Sequence, residues 1–390
     1  MVEEIGDMEY LNIIYKVRAR LLALMSVAIL LTACSDDTDR SGSLPDDTDV
    51  LQIAAYTQDL TSPSQSAATR AVTVPSGYSQ YAGSASIGVF MTKSSTTDNS
   101  TEMTLISYED NVWHSLVKVI KDTPYYIYGY MPAYATSTIT PNTSFDNGAI
   151  LKFTNVPSVM SEDFSVITGV LQLQPDNAGN AVQEGTLKAG TFAYTGMESG
   201  KNFVDLMFDH LYGALNIELK VAESYNSLRT IKLKELRLRT SDANGPSKNK
   251  TNVTVTLNKT EGETPISSVL YEPTGEDVGD LSFFQSALGE ELTTSYKPFM
   301  GHFMPEGITS FVVTSVYDVY DKNVTAEHPD GNLIRKDCTA ENTMELYKLY
   351  DRQTVTKRGY KYTIRLTVMP TYLYLLSDPD LDNPTAVIDN

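Results

Sequence analysis

The sequence predicts an all-β protein built as two β-sandwich domains in tandem. Three observations lead there. Short apolar stretches recur along the chain, and Gly, Pro, Asn and Asp clusters punctuate them every roughly ten to twenty residues. The chain holds 24 tyrosines, a residue that favours pleated, half-buried surfaces. No long amphipathic helix with capping residues is legible, a weak helical signal at 282–288 being the exception. Without its first 33 residues the chain has about 350, which suits two domains of ordinary size.

Residues 50–56, Val-Leu-Gln-Ile-Ala-Ala-Tyr, read as a first strand. A loop rich in Ser, Thr and Ala follows over 61–70, and the body begins at Ala71. Strands are then predicted at 86–91, 123–131, 150–153, 165–168, 192–194 and 203–208. The stretch at 213–221 alternates apolar and polar residues, as a strand with one wet face does. So do 228–239 and 252–257, and strands at 310–317 and 360–368 complete the pattern. The acidic, Gly-containing stretch 259–289 reads as loop. The halves divide near 196–200, which gives one domain over 71–200 and another over 201–390.

The first forty residues follow a different logic. Lys16, Arg18 and Arg20 precede an apolar run at 21–31. That run is about eleven residues, against the about 20 needed to span a membrane. A basic region and a short apolar run make a secretory signal, to be set aside from the fold. It closes on Leu31-Thr32-Ala33-Cys34, which resembles the bacterial lipobox. The resemblance implies cleavage before Cys34, acylation of its thiol and firm attachment to the outer membrane. Residues 1–33 are then the signal, and 34–70 a tether carrying the first strand. The acidic cluster Asp36, Asp37 and Asp39 resembles the surface-export signal of Bacteroidetes lipoproteins; the plainer reading is a solvated tether.

Composition excludes several functions. A formal net charge of -19 disfavours nucleic acid and anionic membrane surfaces as partners. With Cys34 acylated, Cys338 is the other of the two cysteines, so no disulfide within the chain forms and a buried thiol is expected. Four histidines and no CxxC argue against zinc. Phosphate-binding glycine loops and nucleophile elbows are absent, so no enzyme, cofactor or metal is expected. Asp378-Pro379-Asp380-Leu381-Asp382 has the spacing of a calcium loop, with Asp389 at the twelfth position. Asn383 replaces the turn glycine and no helices flank it, so a solvated acidic tail is the better reading.

Five segments together resemble the fimbrillins of Bacteroidetes, the pilins and pilin-like lipoproteins of type V pili. They are the lipobox at Cys34; Ile87-Gly88-Val89-Phe90; Tyr126-Ile127-Tyr128-Gly129-Tyr130-Met131-Pro132; Phe208-Asp209-His210-Leu211 with Ala214-Leu215; and Gly359-Tyr360-Lys361-Tyr362. The resemblance implies sandwiches of transthyretin-like topology and an assembly route. A lipidated precursor is exported and cut after an arginine by an arginine-specific protease. The first strand is thereby lost, and other pilin subunits supply the strand that refills the groove. Arg70, followed by Ala71, is the matching position; the plainer reading is a linker arginine. Arg40 competes, but it precedes the strand, so a cut there releases the lipid without opening a groove. The removable strand centres on Val50, Leu51, Ile53 and Tyr56. The donor is sought at 371–376, with Tyr372, Leu373, Tyr374 and Leu375, or else that stretch is the last strand of the second domain. The product is a structural or tip subunit of a fimbria that contributes to adhesion.

The alternative is a surface lipoprotein that does not polymerise and binds glycans or host proteins. Tyr125, Tyr126, Tyr128, Tyr130 and Tyr134 motivate it. Yet Tyr126, Tyr128 and Tyr130 share one strand face, and such a row more often packs on a core. Trp113 reads as a core anchor. His210 reads as a structural residue where the domains meet, without a recognisable catalytic frame.

Overall fold

The structure is a computed structural model that describes residues 48–369 apart from 63–76, 82, 84, 94–101, 111, 134–136, 177–180, 183–184, 241–246, 260–264, 306, 324, 328–330 and 351–353. It is all-β, as predicted. The two helices among the described residues, Glu223–Asn226 and Leu346–Leu349, are single turns.

Four sheets build the body. The first runs Tyr78–Gln80, Gln52–Gln58, Phe203–His210, Ser165–Gln172, Pro124–Met131, Ile87–Thr92, Thr104–Glu109, Val112–Ser115. The second runs Ile266–Val278, Ser247–Asn258, Ser144–Pro157, Ser137–Asn142. The third runs Val159–Met160, Lys297–Phe303, Gly213–Val221, Lys361–Val368, and the fourth Leu281–Leu292, Arg229–Arg239, Ser310–Asp321, Leu333–Glu345.

Alternating side chains generate the cores. Phe90, Tyr128 and Tyr130 of the first sheet pack against Leu151, Phe153, Val253, Val255 and Leu257 of the second. The other face of the first sheet gathers Leu51, Ala55, Val89, Ile127, Leu206 and Phe208. The third and fourth sheets close on Leu215, Ile217, Ile231, Leu233, Phe311, Val313, Tyr362 and Ile364. In Arg229–Arg239 the apolar phase switches after Leu233, and a register shift between Leu233 and Glu235 keeps Leu236 and Leu238 inside. An extra residue in one strand is what such a phase switch requires.

Two expectations need correction. The chain does not divide between residues 200 and 201. Phe203–His210 lies in the first sheet, paired with Ser165–Gln172. Ser247–Asn258, from the C-terminal half, pairs with Ser144–Pro157 across eight residue pairs. The sheets therefore interleave the two halves of the chain. Residues 259–289 are also not simply loop, nor is 282–288 helical: Ile266–Val278 and Leu281–Leu292 are edge strands. Ile266–Val278 is mostly exposed and carries Glu272, Glu276 and Asp277, while Leu281–Leu292 buries its end leucines and carries Glu290 and Glu291. Charge on an edge blocks unwanted pairing and hides the alternation that marks a half-buried strand.

The interleaving makes a prediction. Leu257 is fully buried in the core between the first two sheets. Leu257→Ala should cost about 2–5 kcal/mol in chemical denaturation. Hydrogen exchange should locate the loosening at Ser144–Pro157, a hundred residues earlier in the chain, while Arg229–Arg239 keeps its protection.

Candidate functional site

The strand at the centre of the site is Gln52–Gln58. It pairs in parallel with Phe203–His210, Gln52 opposite Phe203 through Thr57 opposite Phe208. On its other side the three-residue strand Tyr78–Gln80 pairs with Tyr56 to Gln58. Tyr81 N–H also bonds the Ala55 carbonyl on this side, and just before the strand, Thr48–Val50 pairs antiparallel with Lys118–Ile120, continued by Leu51 N–H to the Val117 carbonyl. The first strand is thus paired continuously along one edge and, along the other, by short strands at its two ends.

Its apolar grip is shallow. Leu51 and Ala55 are buried and Ile53 is half-buried in the same cluster as Val204, Leu206 and Phe208 of the neighbouring strand. Tyr56 is half-buried and Val50 is exposed. Full burial of a leucine is worth about 1.5–3 kcal/mol, and the alanines add little. The ends compensate.

At the N-terminal end, Asp49 Oδ2 accepts from Gly200 N–H at 2.6 Å and Asn202 Nδ2 at 3.1 Å. Asn202 Oδ1 accepts from the Tyr194 hydroxyl at 2.6 Å and Met197 N–H at 2.8 Å, and its carbonyl accepts from Gln52 N–H at 2.7 Å. At the C-terminal end, the Gln58 carbonyl lies 2.5 Å from His210 Nε2, while His210 Nδ1 lies 2.6 Å from Asp163 Oδ2. Beyond it, Thr61 N–H donates to the Gly359 carbonyl at 2.8 Å, and Lys361 N–H donates to the Thr61 carbonyl at 2.9 Å. Gly359 adopts φ +70°, a left-handed turn that suits glycine. Arg358 donates to Asp209 Oδ2 and to the His210 carbonyl, both at 3.0 Å.

These contacts align two lines of strands. Phe203–His210 leads through Leu211 and Tyr212 into Gly213–Val221, passing from the first sheet to the third. Beside it run Gln52–Gln58 and then Lys361–Val368, each parallel to its partner. The C-terminal strand therefore fills, in the third sheet, the place that the N-terminal strand fills in the first. Tyr350 caps its outer edge: its hydroxyl accepts from Thr363 N–H at 2.6 Å and donates to the Thr363 carbonyl at 3.0 Å.

The site's electrostatics centre on buried acids and histidines. Burial pushes the Asp205 carboxyl up to about 6. Burial also raises Asp163, but the His210 hydrogen bond and charge outweigh it and hold the carboxyl below its ordinary value. For His210, burial pulls down, yet Asp163, then Asp209 and the Gln58 carbonyl, carry it above its ordinary value. His302 is held low by burial. Cys338 is free and buried, and burial raises its thiol.

Among the predicted site residues, Val50, Leu51, Ile53 and Tyr56 fall on or beside the paired strand. Cys34, Arg70, Ala71, Tyr372, Leu373, Tyr374 and Leu375 lie outside the described residues, as do Tyr134 and the acidic spacing 378–389. Tyr128 and Tyr130 are fully buried, with Tyr126 packed on the same core and Tyr125 on the opposite face. Trp113 stacks on Tyr81 at 5.9 Å and lies 4.6 Å from Tyr108. Sequence reasoning missed Asp163, Asn202, Asp205 and Arg358. An acid inside the apolar run Phe203-Val204-Asp205-Leu206-Met207-Phe208 is the signal that was there to read.

No protein-family model matches the chain, and no curated protein does. Neighbours among solved structures include proteins of Bacteroides described as fimbrial or cell adhesion proteins and one described as polysaccharide binding. A candidate cell adhesion protein of Bacteroides uniformis shares 12% identity over 84% of this chain and 95% of its own, at a TM-score of 0.39. A fimbrial protein of Bacteroides vulgatus shares 12% over 83% and 95%, at 0.33. A candidate cell adhesion protein of Bacteroides ovatus shares 13% over 82% and 91%, at 0.35. Likeness at this level does not by itself place the chain in a family.

Two predictions come from the clamps. Asn202→Ala removes several buried hydrogen bonds at the head of the strand. It should cost about 2–3 kcal/mol at that end, read as lost hydrogen-exchange protection over Gln52–Gln58. Asp205 has a folded value raised above 3.8, so its stability share is full below that value and lost as pH rises through about 6. Asp205→Asn should therefore match the parent near pH 4 and exceed it by about 2 kcal/mol at pH 8 in urea unfolding.

Proposed function

We propose that this chain is a subunit of a surface fimbria that assembles by strand exchange and serves adhesion. The precursor is anchored at the outer membrane through lipid on Cys34. An arginine-specific protease cuts after Arg70. The segment up to Arg70 is then held to the body without a covalent link, and its departure uncovers the groove along residues 203–208. A strand from a neighbouring copy or another pilin fills the groove, with 371–376 as the donor through alternating Tyr372, Leu373, Tyr374 and Leu375.

The observation that carries this reading is the placement of Gln52–Gln58. It completes a sheet by backbone pairing along one edge, grips the core with few side chains, and precedes the candidate cut in sequence. Residues 63–76, which include that cut, join it to Tyr78–Gln80, so a single cleavage separates the strand from everything after it. Backbone groups left bare are costly, and an added strand satisfies them through ladder hydrogen bonds. A strand passed from one copy to the next is a head-to-tail contact that does not close on itself, which makes a filament. The tyrosine row that motivates glycan binding has its central members in the core, which weakens that alternative.

Treating the purified precursor with a trypsin-like protease tests the proposal. A new N-terminus at Ala71 and a ladder of oligomers stable in mild detergent are expected. An Arg70→Ala variant should remain monomeric under the same treatment. Cleavage at Ala71 with no oligomers, or oligomers from Arg70→Ala, would overturn it.

A further inference from the structure

The contact between His210 and the Gln58 carbonyl has a consequence for when the first strand lets go. A carbonyl oxygen only accepts, so His210 Nε2 must carry a proton to bond it. Nδ1 faces a carboxylate oxygen of Asp163 at 2.6 Å and donates as well. With both ring nitrogens donating, the ring is the charged imidazolium, and its bond to Gln58 is charge-assisted. The ring is buried on the strand that pairs with the first strand, and Gln58 is that strand's last residue.

We propose that His210 is a pH-sensitive latch on the N-terminal strand, closed when the ring is charged and open when it is neutral. On deprotonation one N–H is left for two acceptors. A lone pair turned toward a carboxylate is repelled more strongly than one turned toward a neutral carbonyl. The remaining proton therefore stays on Nδ1 with Asp163, and Nε2 loses Gln58.

The surroundings fit this assignment. Asp209, beside His210 on its own strand, favours the charged ring, though Arg358 at 3.0 Å offsets part of that charge. From Lys297–Phe303, His302 Nδ1 lies 3.3 Å from the Ser161 carbonyl, and burial holds this ring below its ordinary value. Its Nε2 is 3.9 Å from Asp163 Oδ1, on the far side of the same carboxylate. Tyr78, from the edge strand and near Asp209, is pushed up to about 12, chiefly by burial, and stays neutral. The raised value of His210 agrees in sign. The latch's contribution is full below the ring's ordinary 6.5 and is lost as pH climbs through the higher folded value. Ionised Asp205, under the same strand, acts in the same direction but earlier, through about 6.

This inference gives the regulation of the strand exchange proposed above and rests on Gln52–Gln58 being the strand that leaves. Its test needs no cleavage, so the two stand or fall separately. Hydrogen exchange of the intact chain is followed at pH 6.5 and pH 9, corrected for intrinsic rates. Protection over Gln52–Gln58 should fall about ten-fold between them, as loss of a charge-assisted bond implies, while Ser310–Asp321 stays unchanged. His210→Gln should abolish the fall. Asp163→Asn should move it toward pH 6.5, and serves if the first variant folds poorly. Equal protection at both pH values in the parent, or an unaltered fall in a folded variant, would overturn the latch.

Discussion

The backbone groups along residues 203–208 need a strand beside them, and much of the molecule answers that need. Phe203–His210 and Gly213–Val221 form one line through two sheets. One edge of the first segment is paired by Ser165–Gln172, and the other only by Gln52–Gln58. Remove that strand and its six paired residues lose their partner, beside an apolar bed of Val204, Leu206 and Phe208. An unsatisfied buried backbone group costs about 1–3 kcal/mol. The groove cannot stay empty cheaply, so the sheet either keeps its strand or takes another.

The first strand is held by backbone pairing and by specific bonds at its ends more than by side-chain burial. Its middle, Ile53-Ala54-Ala55, contributes little side-chain burial beyond Leu51. Its ends carry the specific bonds, through Asp49 and Asn202 at the head and His210 at the tail. Bonds at two ends can be released one at a time, whereas a deeply interdigitated strand must come out whole. Lys361–Val368 contrasts with it. That strand buries Tyr362, Ile364 and Val368 in the core of the third and fourth sheets, and Tyr350 caps its edge. Of the two parallel partners of the spine, the N-terminal one has the smaller side-chain grip on a core.

How far the sequence told this depends on burial. Strands whose apolar and polar residues alternate in sequence, such as Gly213–Val221 and Arg229–Arg239, are legible to within a residue of their ends, although in the fold neither has an open face. Ile266–Val278 and much of Leu281–Leu292 read as loop because acidic residues and glycines interrupt the alternation of the apolar side chains they pack on the cores. The interleaving of the halves was out of reach: Ser247–Asn258 reads the same whichever sheet it joins. The first strand was legible as seven residues of modest hydrophobicity, but its parallel pairing was not. His210 was recognised as structural, while its partners Asp163 and Gln58, 47 and 152 residues away, were not. Long-range polar partners leave no periodic trace, and only the isolated acid among apolar neighbours, Asp205, signalled a buried charge.

Strand exchange, as proposed, requires the groove along residues 203–208 to be specific for a strand like Gln52–Gln58. A synthetic peptide of residues 48–60, added in excess to protein freshly cut at Arg70, measures this most directly. The peptide should bind one to one, and a scrambled peptide of the same composition should not. Bound peptide should hold the cut protein as a monomer in analytical ultracentrifugation. Failure of the native peptide to bind, or oligomers growing equally fast with it present, would contradict the account.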